Sequence, residues 1–390
     1  MRRVVVVGGG VARFGRREAT YRDLISEAGK AVFDDVKNIK PSEIEGFLLG
    51  TAMPERFVFQ THVAPLAAEC IGIQPQKLIA RTELLCASGS TAIRLASAFI
   101  AANMADIVMV VGAEKMIIPD SDESPFHMLA AADREWDSIH GITAPPFFSI
   151  VAQEHMAKYG TTEEQLAMVS IKNRGYSSKN PNAHFQKPVT FEEVMASKLV
   201  VPPLKLLDCC AMSDGAAAII LASEDRARDL TDKPVYILGS GQTAVGNNSA
   251  NLPGYADWPA LRMAAENAYK MAGIKAEDVD VAEVHDCFTI SEIIEYEELG
   301  FTEKGSGGLF IQEGLSKIGG KVAVNPRGGL LGNGHPLGAT GVAQAVHIVK
   351  QLRGEAGTVQ VKNAKIGLTH NLSGLANTHT IVIYGTKEVL

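Results

Sequence analysis

Three short segments carry side chains able to do covalent chemistry. The first is Leu84-Leu85-Cys86-Ala87-Ser88-Gly89-Ser90-Thr91-Ala92, a cysteine between an apolar run and a helix start rich in glycine and serine. The first turn of a helix offers unpaired N–H groups and positive partial charge, which favour a thiolate over a thiol. Small neighbours at Ala87, Ser88 and Gly89 leave room for a substrate. On this segment alone, a nucleophile and a buried structural cysteine are equally good readings. The second segment is Gly328-Gly329-Leu330-Leu331-Gly332-Asn333-Gly334-His335-Pro336-Leu337-Gly338-Ala339-Thr340-Gly341. A histidine in a glycine-dense loop before a helix can approach a ligand with little hindrance. Cys86 with His335 is the pair that nucleophilic acyl transfer needs, because the base takes the thiol proton and the sulfur attacks a carbonyl. The third segment, His285-Asp286-Cys287-Phe288, puts a second imidazole and thiol at the carboxyl end of an apolar strand, where α/β sites usually lie.

Other motifs point away from competing chemistries. Gly8-Gly9-Gly10 follows a strand, but Arg13 stands where a dinucleotide fingerprint needs its third glycine. A tight strand-to-loop turn is the expectation there. The P-loop pattern is absent, as are Cys-x2-Cys and His-x3-His pairs, so neither nucleotide triphosphate binding nor a metal site is expected. Cys209-Cys210 reads as core packing.

Positioning these segments requires an α/β fold. Apolar, β-branched runs at 4–7, 46–49, 107–111, 217–221, 236–238, 281–284, 366–369 and 380–384 read as buried strands. Helix-like stretches at 21–36, 90–103, 261–272 and 340–351 alternate with them, which indicates largely parallel or mixed sheets. The pattern is duplicated. Ala28-Gly29-Lys30-Ala31 leading to Ile39-Lys40-Pro41-Ser42-Glu43-Ile44-Glu45 is echoed by Ala265-Glu266-Asn267-Ala268 leading to Ile274-Lys275-Ala276-Glu277-Asp278-Val279-Asp280. Gly338-Ala339-Thr340 then lies over Gly89-Ser90-Thr91. Cys86 and His335 therefore begin equivalent helices, which pseudo-twofold packing would bring together. The expected division is 1–114 with 208–234 as the first copy and 235–390 as the second. Residues 115–207, richer in Pro and Met, form an inserted lid or substrate domain.

Composition bounds the rest. With 390 residues, 46% hydrophobic and 21% charged, the chain can bury a large core in two or three domains. A net charge of −7 argues against nucleic-acid binding, and no apolar run approaches a membrane span. The opening apolar run is too short for a signal peptide, and five cysteines make no disulfide framework, so a cytoplasmic location is expected.

Taken together, these segments resemble the thiolase superfamily, specifically the sterol-carrier-protein-type thiolases and their bacterial and archaeal acetyl-CoA acetyltransferase-like relatives. The likeness runs nearly the whole chain and includes His370-Asn371-Leu372-Ser373-Gly374, Lys158-Tyr159-Gly160-Thr161-Thr162 and Ser213-Asp214-Gly215-Ala216-Ala217-Ala218. It implies a duplicated αβαβα thiolase fold with an inserted loop domain, acting on acyl-CoA with coenzyme A as substrate and no tightly bound cofactor. It also implies a homodimer or dimer of dimers. By resemblance, Cys86 is the acylated nucleophile, and His335 is its activator and an oxyanion donor. His285 stands where other thiolases have the Asn of Asn-Glu-Ala-Phe, which holds an oxyanion-hole water. Asn371-Leu372-Ser373 replaces the usual Cys-x-Gly, so Cys287 takes the acid/base role. Ser373, Gly374 and Asn371 fall in the oxyanion and acyl-binding region, with the N–H donor either Ser373 or Gly374.

The expected reaction is cleavage or formation of a 3-oxoacyl-CoA, either acetoacetyl-CoA or a bulkier branched or aromatic one. A decarboxylating ketoacyl synthase and a non-catalytic thiolase-fold scaffold are the alternatives. Pro145-Pro146-Phe147-Phe148, Met128 and Met156 would cover the acyl group or simply pack the lid. Lys172, Arg174 and Lys179 are candidates for the CoA phosphates. The bacterial and archaeal relatives lack a fused sterol-carrier domain, and a separate small zinc-ribbon/OB-fold partner protein is as consistent with this chain as a self-sufficient dimer.

Overall fold

The computed structural model describes residues 2–118 and 123–390. Strands β1 (Val4–Val11), β2 (Gly46–Gly50), β3 (Leu78–Thr82) and β4 (Ile107–Glu114) precede the insertion, which carries a short hairpin of β5 (Leu199–Val201) and β6 (Leu204–Lys205). After it come β7 (Gly215–Ser223), β8 (Val235–Ala244), β9 (Val281–Glu283), β10 (Ala323–Val324), β11 (Ile366–Ser373) and β12 (Thr378–Thr386).

Ten of these strands join in the order β3-β2-β4-β7-β1-β8-β12-β11-β9-β10. Read outward from the β1–β8 seam, the halves are copies of one another. In each, the first three strands are antiparallel neighbours and the outer three are parallel. The seam itself is only two residue pairs, Val5 with Tyr236 and Val6 with Val235. The duplication read from the helix–turn–strand pattern is therefore present in strand order and direction as well.

Both faces of the inner strands of the first half are covered, so β1, β2, β4 and β7 are buried and almost entirely apolar instead of alternating with polar residues. Val4 and Val6 point to a central core shared with Val281 and Val382 of the second half. Val5 and Val7 point the other way, to an outer core with Leu24, Ile25 and Val32 of the Tyr21–Asp35 helix. Helices Ser88–Ala101 and Leu337–Arg353 fill the central layer, and Pro259–Ala272 and Thr289–Glu298 cover the far face. The result is the helix–sheet–helix–sheet–helix layering expected from the sequence.

Local rules explain many element ends. Thr20 and Thr162 cap their helices with capping boxes to Asp23 and Gln165. Gly160, Gly273 and Gly354 stop helices in the left-handed conformation. One local expectation fails. Gly8-Gly9-Gly10 lies inside β1 and forms no turn. Side chains at Gly8 and Gly10 would overlap Val36 and the Ala31 backbone, and one at Gly9 would overlap Val346. The glycines let a helix press closely on each face of the strand.

The insertion is more than a cover. Its helices Ala144–Tyr159 and Glu163–Ser177 bury Phe147, Phe148, Val151, Leu166 and Val169 in the same core as Ile290 and Ile293. Pro145 and Pro146 begin the first of these helices, where a missing N–H costs nothing.

The two central helices meet backbone to backbone. A Cβ on Gly338 would overlap the Gly50 carbonyl oxygen, and one on Gly112 or Gly89 would overlap that of Gly338. Gly338→Ala should therefore destabilise the protein by about 1–3 kcal/mol, since backbone cannot yield as a side chain does. Gly175, inside the Glu163–Ser177 helix, faces open space. Gly175→Ala should leave stability unchanged or raise it by up to about 1 kcal/mol. Denaturant unfolding of both variants checks the contrast.

Candidate active site

Cys86 sits in a 3-10 turn, Leu85–Ala87, that leads into the Ser88–Ala101 helix. The turn forces Leu85 to φ +43°, a strained conformation for a branched side chain. The small polar residues of the motif hold it. Ser88 Oγ donates to Leu85 O at 2.6 Å and accepts from Leu84 N at 2.9 Å. Thr82 Oγ1 donates to Ser88 O, and Ser90 Oγ to Ala87 O. The serines that read as a permissive helix start are the clasps of the turn.

His335 is held from the opposite half. Its N–H is shared by Ala211 O at 3.0 Å and Ser213 Oγ at 3.2 Å, and it bridges to Met212. Its Nδ1 lies 2.7 Å from Thr340 Oγ1, whose own proton goes to Pro336 O at 2.9 Å. Thr340 can then only accept from the ring, so Nδ1 carries the hydrogen and Nε2 keeps its lone pair. That Nε2 is buried without a partner among the described residues.

His285 and Cys287 follow β9 into the same space. Cys86 Sγ and a ring nitrogen from each of His285 and His335 lie within 4.8 Å of one another, and the two imidazoles meet edge to face at 4.8 Å. The Cys287 thiol contacts Ser291 Oγ at 3.6 Å. All four groups line one cavity of about 330 Å³. The remainder of its wall is mostly apolar, with Met116, Met128, Ile142, Phe148, Leu372 and Leu375 prominent.

Burial decides the charge states. It pushes the Cys86 thiol up to about 12, with Glu114 and Glu83 adding to the rise. The Cys287 thiol is also pushed well up, by burial and then by the neighbouring Cys210. His335 is driven down to about 3, and His285 well below the ordinary imidazole range, again by burial first. Where the helix start alone favours a thiolate, burial favours a neutral thiol beside a neutral imidazole.

Several sequence expectations are relocated. Asn371 is fully buried behind His285, with Nδ2 3.3 Å from His285 Nδ1, and does not line the cavity. Ser373 donates its hydroxyl to Leu84 O at 2.8 Å, whereas Gly374 reaches the cavity wall. Met128, Pro145 and Phe148 line the cavity, but Phe147 and Met156 pack the core. None of the three expected phosphate contacts lies there. Lys172 is buried against Glu292 at 2.6 Å, Arg174 stacks on Phe185, and Lys179 borders a separate cavity with His347 and Lys350. Cys210, read as packing, is a cavity residue that sequence reasoning missed. Its sole signal was closeness to Ser213, the residue that carries the His335 loop.

Comparison with known proteins identifies the family. The thiolase N-terminal domain family matches residues 4–225, and the thiolase C-terminal domain-like family matches 241–386. The chain belongs to the thiolase family. It is 42% identical to an acetyl-CoA acetyltransferase of Methanothermobacter thermautotrophicus, over 98% of this chain and all of that one. It is 35% identical to sterol carrier protein 2 of Bos taurus, over 98% of this chain and 72% of that one. It is 33% identical to the benzoylsuccinyl-CoA thiolase subunit BbsB of Thauera aromatica, over 96% and 95% of the two chains. Among solved structures, the Ltp2-ChsH2(DUF35) aldolase superposes with a TM-score of 0.84 at 26% identity, covering 100% of this chain and 99% of that one. As a thiolase-family protein it is an acyltransferase. Among the described residues, no helix is long and apolar enough to cross a membrane.

The neutral resting pair has a measurable consequence. With the Cys86 thiol raised to about 12, its thiolate fraction grows about tenfold per pH unit below that value. Alkylation of Cys86 by iodoacetamide in the free enzyme should therefore climb steadily from pH 6 to 9. A plateau already reached near pH 7 would indicate a resting thiolate–imidazolium pair instead.

Proposed function

We propose that this thiolase transfers acyl groups between 3-oxoacyl-CoA and coenzyme A through an acyl-Cys86 intermediate. The observation that carries the reading is the convergence of Cys86, His335, His285 and Cys287 on one cavity, each in a protonation state suited to a separate task. In the cleavage direction, the Cys86 proton passes to His335 Nε2 as the sulfur attacks C3. The C2–C3 bond breaks, and its electron pair becomes the enolate of the departing acyl-CoA. Cys287, a thiol held protonated by burial, delivers a proton to C2. Free coenzyme A then gives its proton to the Cys287 thiolate and its sulfur attacks the acyl carbon. Cys86 leaves with the proton stored on His335. Condensation is the same path reversed.

His285 provides an N–H toward the thioester oxygen of the enolate, where developing negative charge makes it most valuable. Gly374 N–H is the proposed donor for the acyl oxygen, since the Ser373 side chain is tied to Leu84. A bulkier acyl group than acetyl suits the apolar wall formed by Met116, Met128, Phe148 and Leu375. The aromatic substrate in the name of the Thauera relative supports that choice.

Residues 115–207 act in this reading as the acyl-covering insertion between two thiolase domains, 1–114 with 208–234 and 235–390. A dimer is supported by β3, an edge strand with Ile79 42% exposed. A small zinc-ribbon/OB-fold partner is supported by two relatives. One is a complex with a DUF35 protein, and the other is named as a subunit. The absence of Lys172 and Arg174 from the cavity leaves room for outside help with the CoA phosphates. Copurification with mass measurement distinguishes a partnered assembly from a dimer active by itself. Cytoplasmic operation fits a coenzyme A–dependent reaction.

The deciding experiment is intact-protein mass after incubation with a panel of acetoacetyl, branched and aromatic 3-oxoacyl-CoAs. Wild-type protein should gain the acyl mass on Cys86 and release it on adding coenzyme A. Cys86→Ala should gain none and lose more than about 10³-fold in kcat. Cys287→Ala should still acylate to some extent yet turn over at least about 10²-fold more slowly. Cleavage by Cys86→Ala near the wild-type rate would overturn the reading.

A further inference from the structure

The two cavity imidazoles are chemically alike, yet acyl transfer asks one to hold a lone pair and the other to present an N–H. Thr340 settles the first. For the second, a buried chain of side-chain amides runs from the β9 end to the ring. Gln344, on the Leu337–Arg353 helix, donates Nε2–H to Val284 O at 3.1 Å. A backbone carbonyl can only accept, so the Gln344 amide has one orientation, with Oε1 turned to Asn371. Asn371 must then direct Nδ2 at it, at 2.7 Å. The same NH2 group faces His285 Nδ1 at 3.3 Å. A donor opposite Nδ1 requires a lone pair there, which leaves the hydrogen of the neutral ring on Nε2. That Nε2 has no partner among the described residues. Gln344, Asn371 and His285 are all fully buried, so water does not compete for these bonds.

We infer that Gln344 and Asn371 are positioning residues that lock His285 as an Nε2–H donor, the complement of His335 with its free Nε2 lone pair. Neither touches the cavity. Their sequence cue is slight, since Asn371 stands at a position where the resemblance implies acyl contact and Gln344 is one polar residue in an apolar helix. The close packing around Asn371 supports a fixed role. Gly341 leaves the space that Asn371 Oδ1 occupies, since a Cβ there would lie 2.7 Å from it.

The inference rests on the acyl-transfer reading for its purpose, but not for its test. Asn371→Asp is nearly isosteric and puts an acceptor opposite Nδ1, which pulls the ring hydrogen to Nδ1 and leaves Nε2 a bare lone pair. Gln344→Glu keeps an acceptor for Asn371 and so keeps the wild-type tautomer. Long-range 1H–15N NMR of 15N-histidine-labelled protein, with His285 assigned through His285→Asn, reads the tautomer directly. Wild type and Gln344→Glu should show His285 as Nε2–H, and Asn371→Asp as Nδ1–H. Asn371→Asp should also lose about 10²–10³-fold in kcat, the scale of one oxyanion donor. Its KM should stay within about twofold and its Cys86 alkylation rate should match wild type. Wild type with Nδ1–H, or Asn371→Asp retaining Nε2–H at full loss of rate, would overturn the inference. Should Asn371→Asp not fold, the wild-type and Gln344→Glu spectra still decide it. Failure of every acyl-CoA to label Cys86 would instead overturn the acyl-transfer reading, whatever the tautomer.

Discussion

The Glu114 carboxylate joins the two halves of the molecule beside the candidate active site. It ends β4 and is 1% exposed, yet it accepts from Ala52 N at 2.9 Å, Met53 N at 3.3 Å, Gly338 N at 3.0 Å and Thr51 Oγ1 at 3.1 Å. Three of these donors belong to the loop after β2, and the fourth begins the central helix of the other half. Burial raises its carboxyl above the ordinary range, while the backbone donors oppose that rise. Each donor left without the carboxylate would cost about 1–3 kcal/mol as an unsatisfied buried group. His335 is three residues before Gly338, and Gly89, whose Cβ would overlap Gly338 O, is three residues after Cys86. The separation of thiol and imidazole is therefore set by backbone contact and one buried acid, with no reliance on long flexible side chains.

This explains what was legible in the sequence. The motifs around Cys86 and His335 could be found because close helix approach demands glycine and small residues, which leave a compositional mark, and His285 because an imidazole and thiol end an apolar strand. The duplication was legible for the same reason, as helix, acidic turn and strand recur with similar spacing. The short strands β3 and β10 were not read, since β3 is half-exposed at an edge and β10 has only two residues. Gly8-Gly9-Gly10 was misread because glycine marks turns and close packing alike. Cys210 and Gln344 escaped, and Asn371 lies behind His285 instead of in the acyl wall, for a different reason. Their positions depend on which strands lie side by side, and single residues on apolar elements announce nothing about that.

The cavity's electrostatics follow from its depth. Thiols at Cys86, Cys210 and Cys287 are held protonated, and imidazoles at His285 and His335 are held neutral. Desolvation is the leading cause in every case. A site built this way carries little standing charge on the groups facing the substrate. Charge created during the proposed reaction is then met by oriented N–H and S–H dipoles that need not first be stripped of water. In the proposed reaction, reactivity would then arise when substrate arrives and a proton moves from Cys86 to His335.

The insertion is tied into this arrangement through one aromatic pair. Phe148 stacks on Phe288 with ring centroids 4.5 Å apart and planes 20° from parallel. Phe148 lines the acyl cavity, and Phe288 directly follows Cys287 and forms a bridge to Cys209. Phe147 braces the same helix against Tyr255, and Trp258 meets Phe148 edge to face. A side chain that would face the acyl group in the proposed reaction is thus packed on the residue next to the proposed acid. The wall that would select substrate and the loop that would deliver the proton are one packed unit, so a change in acyl size presses on Phe148 and through Phe288 on the position of the Cys287 thiol. The cavity wall thus belongs to the same hydrophobic core that holds the helices Ala144–Tyr159 and Glu163–Ser177 in place.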